Sequence, residues 1–337
     1  MKKLKVLLIH DGEDPMPQER DFGALKQSSQ WGTEIAAYQA LKARGHTIES
    51  IGFNDDPLTL LDKIRLTKPD VVFNLAESCL GEYRHDHNIP SLLELARVPY
   101  TGCGPIGLML CNNKALTKKV LTYHQIKVPQ FCVYRIGETV RFPAADFTAP
   151  YFVKPLQEEA SEGISQRSLA KTEEQCQSRV AFVHESLKKD AMIEQYIAGR
   201  ELYVGLFGNG KNIKVLPPWE LKFANAEADE PKIATYRAKW SETYRKKWGI
   251  INESAGPLSE GVLENIQTIC KKAYRVLNLD GYARFDIRLT KDGEVYIIEA
   301  NANPELARGE DFAASAEKDG IPYEQLIEKL LQLAVQR

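Results

Sequence analysis

Ala283-Arg284-Phe285-Asp286-Ile287-Arg288-Leu289, then Asp292-Gly293, then Val295-Tyr296-Ile297-Ile298-Glu299-Ala300-Asn301, reads as a β-hairpin. Asp-Gly between two alternating apolar runs is a strong short-turn signal. With Asp292 and Gly293 as the turn, Lys291 faces Glu294. Counting back along both strands, Asp286 faces Glu299 and Arg284 faces Asn301. Side chains directly opposite sit about 5 Å apart at Cβ, so two carboxylates so placed repel each other and ask for a cation. Two carboxylates and an amide oxygen are hard ligands that suit Mg²⁺ carried with a phosphate. Solvation is the ordinary fate of acidic residues on hairpins, but three details point elsewhere. Phe285, Ile287 and Leu289 specify an apolar opposite face, Arg284 adds a fixed cation, and Asn301-Ala302-Asn303-Pro304 ends the strand abruptly.

Composition sets the bounds. The chain has 337 residues, with 43% hydrophobic and 27% charged content, which suits two or three globular domains. A net charge of −2 gives no bulk attraction to nucleic acid or to an anionic membrane. No apolar run approaches the ~20 residues of a membrane span. Leu4–Ile9, after Met1-Lys2-Lys3, is shorter than a signal-peptide core and reads as a buried strand. The six cysteines are scattered without metal spacing, so free thiols in the cytoplasm are the expectation. His85 and His87 flank Asp86; a solvated loop is favoured there over a metal or substrate cluster.

Working outward from the hairpin, the first hundred residues alternate strand and helix: Lys5–Ile9, Trp31–Arg44, Thr47–Phe53, Pro57–Leu66, Asp70–Leu75, Pro90–Ala96 and Val98–Gly102. This predicts a parallel sheet with helices on both faces and a ligand site beyond the carboxyl ends of its strands. A G-x-G-x-x-G after the first strand is absent, so no dinucleotide fingerprint is present. A new unit starts near Leu108–Lys114. It holds a basic helix at Lys114–Tyr123 and strands at Pro129–Tyr134, Tyr151–Pro155, Ala191–Tyr196, Leu202–Phe207 and Ile213–Leu216. Pro218–Pro257 reads as a long polar segment with interspersed aromatics, the pattern of a functional lid. Amphipathic helices at Ser259–Leu277 and Tyr323–Ala334 complete the pattern.

Taken together these pieces resemble the ATP-grasp ligases, and specifically the D-alanine–D-alanine ligase group. The resemblance spans nearly the whole chain and is densest over Val98–Asn303. Pro99-Tyr100-Thr101-Gly102 followed by Asn113-Lys114-Ala115 is similar to the family's entry into its ATP-binding part, with Lys114 matching a phosphate lysine. Val153-Lys154-Pro155 matches the second ATP lysine, and Glu158 to Gly163, with Ser161, stands where the family has a phosphate loop. Ile193-Glu194-Gln195-Tyr196-Ile197 looks like the adenine hinge; the resemblance implies base contacts from the backbone of Gln195, Tyr196 and Ile197 and from the Glu194 carboxylate. Glu201 matches the ribose carboxylate. Tyr236-Arg237-Ala238-Lys239-Trp240 resembles a motif whose lysine reaches phosphate while the next aromatic closes the site. Arg284 matches the oxyanion arginine, and Asp286, Glu299 and Asn301 the metal ligands.

The fold implied is α/β: a Rossmann-like unit at 1–108, a central ATP-grasp unit at 109–198 and a C-terminal one at 199–337. The implied cofactors are ATP and Mg²⁺, as two ions, with Mn²⁺ an alternative. The implied reaction joins a carboxylate to an amine through an acyl phosphate, with Arg284, Lys239 and Ser161 as catalytic groups. The implied partners are small amino-acid-like substrates, with no nucleic acid, no membrane and room for a homodimer.

Two places depart from the family. Its glycine-pair and serine–glutamate signature is replaced by His10-Asp11-Gly12-Glu13-Asp14-Pro15, leaving Glu13, Glu19 or Asp21 to hold a substrate ammonium. After the metal strand, Pro304-Glu305-Leu306-Ala307-Arg308-Gly309-Glu310-Asp311 stands where the family receives a carboxylate. Acidic residues there disfavour D-alanine as acceptor. Modification of a peptide terminus or side chain, and nucleotide sensing without turnover, are the alternatives.

Overall fold

A computed structural model describes residues 2–12, 15–25, 31–53, 56–142, 147–157, 161–226 and 232–337. Strands β1 (Lys5–Asp11), β2 (Thr47–Phe53) and β3 (Val71–Asn74) form a parallel sheet of order β2-β1-β3. Alternation along β1 sorts its side chains. Val6 and Leu8 pack with helices Gly32–Ala43 and Tyr323–Val335, whereas Leu7 and Ile9 pack with Leu60, Ile64 and Leu93 on the other face. Both faces are covered, as a parallel sheet requires. The strand expected at Val98–Gly102 reduces to a single bridge between Val72 and Tyr100.

Strands β4 (Phe131–Tyr134), β5 (Tyr151–Pro155), β6 (Leu169–Ala170) and β7 (Ala191–Gln195) form an antiparallel sheet, order β4-β7-β5-β6. Helix Glu173–Glu185, capped by the Thr172 side chain, buries Cys176, Val180 and Val183 against Val153 and Ile193.

The third sheet contains β8 (Arg200–Asn209), β9 (Asn212–Val215), β10 (Trp219–Phe223), β11 (Ile250–Ser254), β12 (Tyr282–Leu289) and β13 (Val295–Ala302). Its order is β11-β10-β8-β12-β13, with β9 on β8. Helix Glu260–Val276 buries Ile266, Cys270 and Ala273 in one core with Phe285, Ile287 and Leu289, the face the hairpin reading marked as apolar. Among its described residues the Pro218–Pro257 segment is not wholly irregular: it supplies β10, β11 and helices Tyr236–Trp240 and Glu242–Trp248. Its strand pattern is masked by charged side chains: Glu220 is buried against Arg200, and Lys222 pairs with Glu253 across β10 and β11.

The hairpin itself corrects the sequence reading at one point. Thr290 donates to the Glu294 carbonyl and Gly293 adopts φ 82, so the loop has one residue more than a two-residue turn and Lys291 does not face Glu294. A β-bulge then falls on β13, where Ile287 pairs with Ile297 but Asp286 with Glu299, leaving Ile298 as the extra residue. The two offsets cancel. Asp286 faces Glu299 and Arg284 faces Asn301, as counted from the sequence. Near the front of the first sheet, His87 bonds the Arg84 carbonyl and Asp86 accepts from Asn112, so this cluster ties down its own loop.

Candidate functional site

A cleft of about 800 Å³, its open mouth included, lies between the second and third sheets. Lys114, Lys154, Ser161, Glu194, Gln195, Tyr196, Ile197, Glu201, Lys239, Asp286 and Glu299, read from distant parts of the chain, all line it. Arg284 and Asn301 do not; they form the next facing pair along the hairpin. Pairing explains the convergence. Arg284, Asp286 and Arg288 share one face of β12, and β8 sets Tyr203 opposite Asp286 and Glu201 opposite Arg288.

Charge is arranged along this face in closed pairs. Arg284 grips Asp286 with both ends of its guanidinium, at 2.7 and 3.1 Å, and lies 5.0 Å from the Tyr203 ring centroid. Its pKa is raised: burial opposes the charge, but Asp286 outweighs it. Lys114 Nζ lies 3.0 Å from Glu299 Oε1. Burial would raise the Glu299 carboxyl, but Lys114, Lys154 and Lys239 together hold it well below the usual carboxylate range. Helix Lys114–Tyr123 begins where the Asn113 side chain caps it, so Lys114 emerges from its first turn. Ser161 sits at φ 63, and the Ile164 carbonyl accepts from Tyr236 N, joining the segment after Ser161 to the helix bearing Lys239. Glu158, Glu159 and Ala160 lie outside the described residues, as do Glu13 and Asp14.

At the strand end expected to meet the base, two amides already have partners. Gln195 N donates to the Gln130 carbonyl and Tyr196 N to the Pro150 carbonyl. Those amides are spent on the fold, whereas the Ile197 amide has no such backbone acceptor among the described residues. Glu194 is 2% exposed, with Lys118 and Lys154 each 3.1 Å from its oxygens. Burial opposes its charge, but the two lysines keep its pKa low. Burial pushes Lys118 down to about 8 against the pull of Glu194, and the neighbouring Lys154 lowers it further.

The sequence reading missed Arg288. It is 2.6 Å from Glu201 Oε2 and also donates to the Gly199 and Lys232 carbonyls, so it fixes Glu201. Its period-two position beside Arg284 and Asp286 was the available signal.

The metal reading can be tested on the donors. Asp286 and Glu299 face each other, and Asn301 keeps a buried Nδ2 without a hydrogen-bond partner. Among the described residues no group of three His, Cys, Asp or Glu side chains could hold a metal ion, so a third protein donor beside Asp286 and Glu299 would have to be of another kind, such as the Asn301 amide. Two carboxylates and an amide fit a hard divalent cation that brings phosphate oxygens of its own.

Beyond Arg284 the surroundings turn acidic. Asp311 accepts from Asn252 at 2.9 and 3.1 Å, and Glu305 accepts from Thr33 at 2.5 Å and from Ala307 N. Arg308 is engaged elsewhere, by Glu324 and by the Tyr323 ring 4.2 Å away. Glu19 is held by Tyr38 and Lys42 and Asp21 is exposed, so neither joins this group. Glu34, in the first turn of helix Gly32–Ala43, does. Burial raises its pKa, and Glu305 and Asp11 raise it further.

A pH dependence follows. A carboxyl with a raised native pKa costs nothing at a pH below its unfolded value, where both states are protonated. Its destabilisation grows as pH rises through the native pKa. Glu34→Gln is therefore expected to melt at a higher temperature than the parent at pH 8, the gap closing near pH 4. Equal melting temperatures at pH 8 would contradict this.

Comparison with known proteins identifies the family. Residues 120–332 match the family model described as D-ala D-ala ligase C-terminus. The chain is 30% identical over 305 residues to an uncharacterized protein, y4sG, of Sinorhizobium fredii, covering 88% of this chain and 86% of that one. It is 29% identical over 276 residues to the D-alanine–D-alanine ligase of Oceanobacillus iheyensis, covering 81% and 70%. In fold it is similar to the D-alanine–D-alanine ligase from Bacillus anthracis complexed with ATP, with TM-score 0.74, 22% identity and coverage of 99% and 98%. No helix among the described residues is long and apolar enough to cross a membrane. The hairpin, the cleft and these matches converge: the chain belongs to the D-alanine–D-alanine ligase family, α/β ATP-grasp enzymes that form carbon–nitrogen bonds at the expense of ATP.

Proposed function

We propose that this enzyme joins an amino-acid carboxylate to an amine through an acyl phosphate, and that its acceptor is not D-alanine. The observation that carries the first part is the convergence of Lys114, Lys154 and Lys239 on Glu299 within one cleft. The base would lie against Ile197 and Glu194, the ribose hydroxyls on Glu201, and the phosphates among the three lysines and the Ser161 segment. Asp286, Glu299 and Asn301 would hold Mg²⁺, as two ions, with Mn²⁺ tolerated by the same oxygen donors. The metal supplies charge neutralisation to the transferred phosphoryl group. Lys114 would then exchange Glu299 for phosphate. Arg284, set beside Asp286, would stabilise the oxyanion as the amine adds. No protein nucleophile is required; positioning and electrostatics suffice. Three structural units, 1–108, 109–198 and 199–337, would share the work, one sheet in each.

The second part rests on the acidic surroundings of Arg284. Glu34, Glu305 and Asp311 stand near the acceptor end, while Arg308 is tied to Glu324 and Tyr323. A carboxylate about 4 Å from one such charge meets roughly 4 kcal/mol of repulsion at an effective dielectric of 20. An acceptor with a second amine, a guanidinium group or no free carboxylate avoids it. The test is phosphate release with D-alanine, a basic amino acid and an amino-acid amide as acceptors. The basic amino acid or the amide is expected to exceed D-alanine by more than about tenfold. Efficient turnover with D-alanine alone would overturn the acceptor assignment.

A further inference from the structure

Glu194 and the metal-facing hairpin belong to different sheets, and one side chain joins them. Lys118 follows Lys114 by one helical turn in Lys114–Tyr123, so the two project from one face of the helix. Lys118 is 1% exposed. Its Nζ donates to the Ile298 carbonyl at 2.9 Å and lies 3.1 Å from Glu194 Oε1. Ile298 is the extra residue of the bulge. That bulge resets the side-chain alternation of β13. Val295 and Ile297 point into the core, Ile298 and Glu299 both line the cleft, and Ala300 returns to the core. Without it Glu299 would fall on the buried apolar face, because a one-residue shift moves every side chain to the other side. Buried carbonyls are nearly always partnered, and here the donor comes from another element.

We propose that Lys118 is a positioning residue for the nucleotide site. It stabilises the bulge that sets Glu299 opposite Asp286, and it fixes the Glu194 carboxylate at the base end. Base recognition and metal holding therefore share one anchor. This rests on the reading of the cleft as an ATP site. Lys154, also on Glu194, is reserved for phosphate in that reading; Lys118 reaches neither phosphate nor metal and acts through its two partners.

The experiment is equilibrium titration of ATP and GTP, each with Mg²⁺ and with EDTA, on the parent and on Lys118→Met, Lys118→Gln and Glu194→Gln. Lys118→Met is expected to lose both the preference for ATP over GTP and the Mg²⁺-dependent tightening, each by about tenfold. Lys118→Gln retains a donor for the Ile298 carbonyl, so it should lose the base preference while keeping most of the tightening. Glu194→Gln should lose the preference alone. A merely structural lysine would lower melting temperature without separating these ratios. If folded Lys118→Met holds both ratios within about twofold of the parent, the role is wrong. Should Lys118→Met fail to fold, a Lys118→Gln that keeps the full base preference overturns it. A parent that binds no ATP overturns the nucleotide reading and this inference with it.

Discussion

Glu299→Gln is expected to lower turnover by at least about a hundredfold, the usual scale for removing a group that neutralises charge in a transition state. Asp286→Asn should do the same. From the sequence, each change also looks stabilising, because it removes cross-strand repulsion. The structure reverses that second expectation. Arg284 grips Asp286, and Lys114 lies against Glu299, so the carboxylates are already compensated within the protein. Asp286→Asn leaves a buried guanidinium facing an amide, at a cost of about 1–3 kcal/mol. Melting temperature without nucleotide should therefore fall as turnover falls. Near-parental turnover of both variants at saturating Mg²⁺ would remove the metal assignment. A rise in melting temperature would show that repulsion still dominates.

The second large effect is expected at Lys154. Its Nζ is 3.1 Å from Glu194 and its side chain is nearly fully buried, so Lys154→Ala removes a phosphate cation and half of the Glu194 compensation together. ATP affinity should fall by more than about tenfold. Lys239 is exposed at the mouth of the cleft and draws Glu299 from a distance. Lys239→Ala should weaken ATP less and turnover more. Lys171 and Lys188 flank helix Glu173–Glu185 as exposed residues instead of lying on it, and serve as controls. Their alanine variants should match the parent in nucleotide titration. Four variants that behave alike would show that the lysines were assigned to the wrong cleft.

What was legible in the sequence depended on whether the physics was local. The hairpin strands, the start of helix Lys114–Tyr123 and the apolar stripe of Glu260–Val276 are written in neighbouring residues, and the structure carries them. The facing of Asp286 and Glu299 was reached through two compensating one-residue errors, the longer loop at Thr290–Glu294 and the bulge at Ile298. No local signal marks that bulge. Its partner, Lys118, is 180 positions away. Use of the Gln195 and Tyr196 amides by Gln130 and Pro150 is likewise a tertiary fact, invisible to motif spacing. Glu34 escaped notice because a glutamate in a first helical turn is an ordinary dipole partner. Only the approach of Glu305, bonded to Thr33, gives it a place in the acceptor surroundings.

The central claim is transfer through an acyl phosphate, and following a carboxylate oxygen tests it most directly. A donor amino acid labelled with ¹⁸O in its carboxylate is incubated with the enzyme, ATP, Mg²⁺ and an accepted amine. The carboxylate oxygen attacks the γ-phosphorus of ATP, and the amine then expels phosphate with that oxygen attached. The account predicts one ¹⁸O in each inorganic phosphate released, formed with ADP in step with the amide. Unlabelled phosphate released in step with the amide would contradict it.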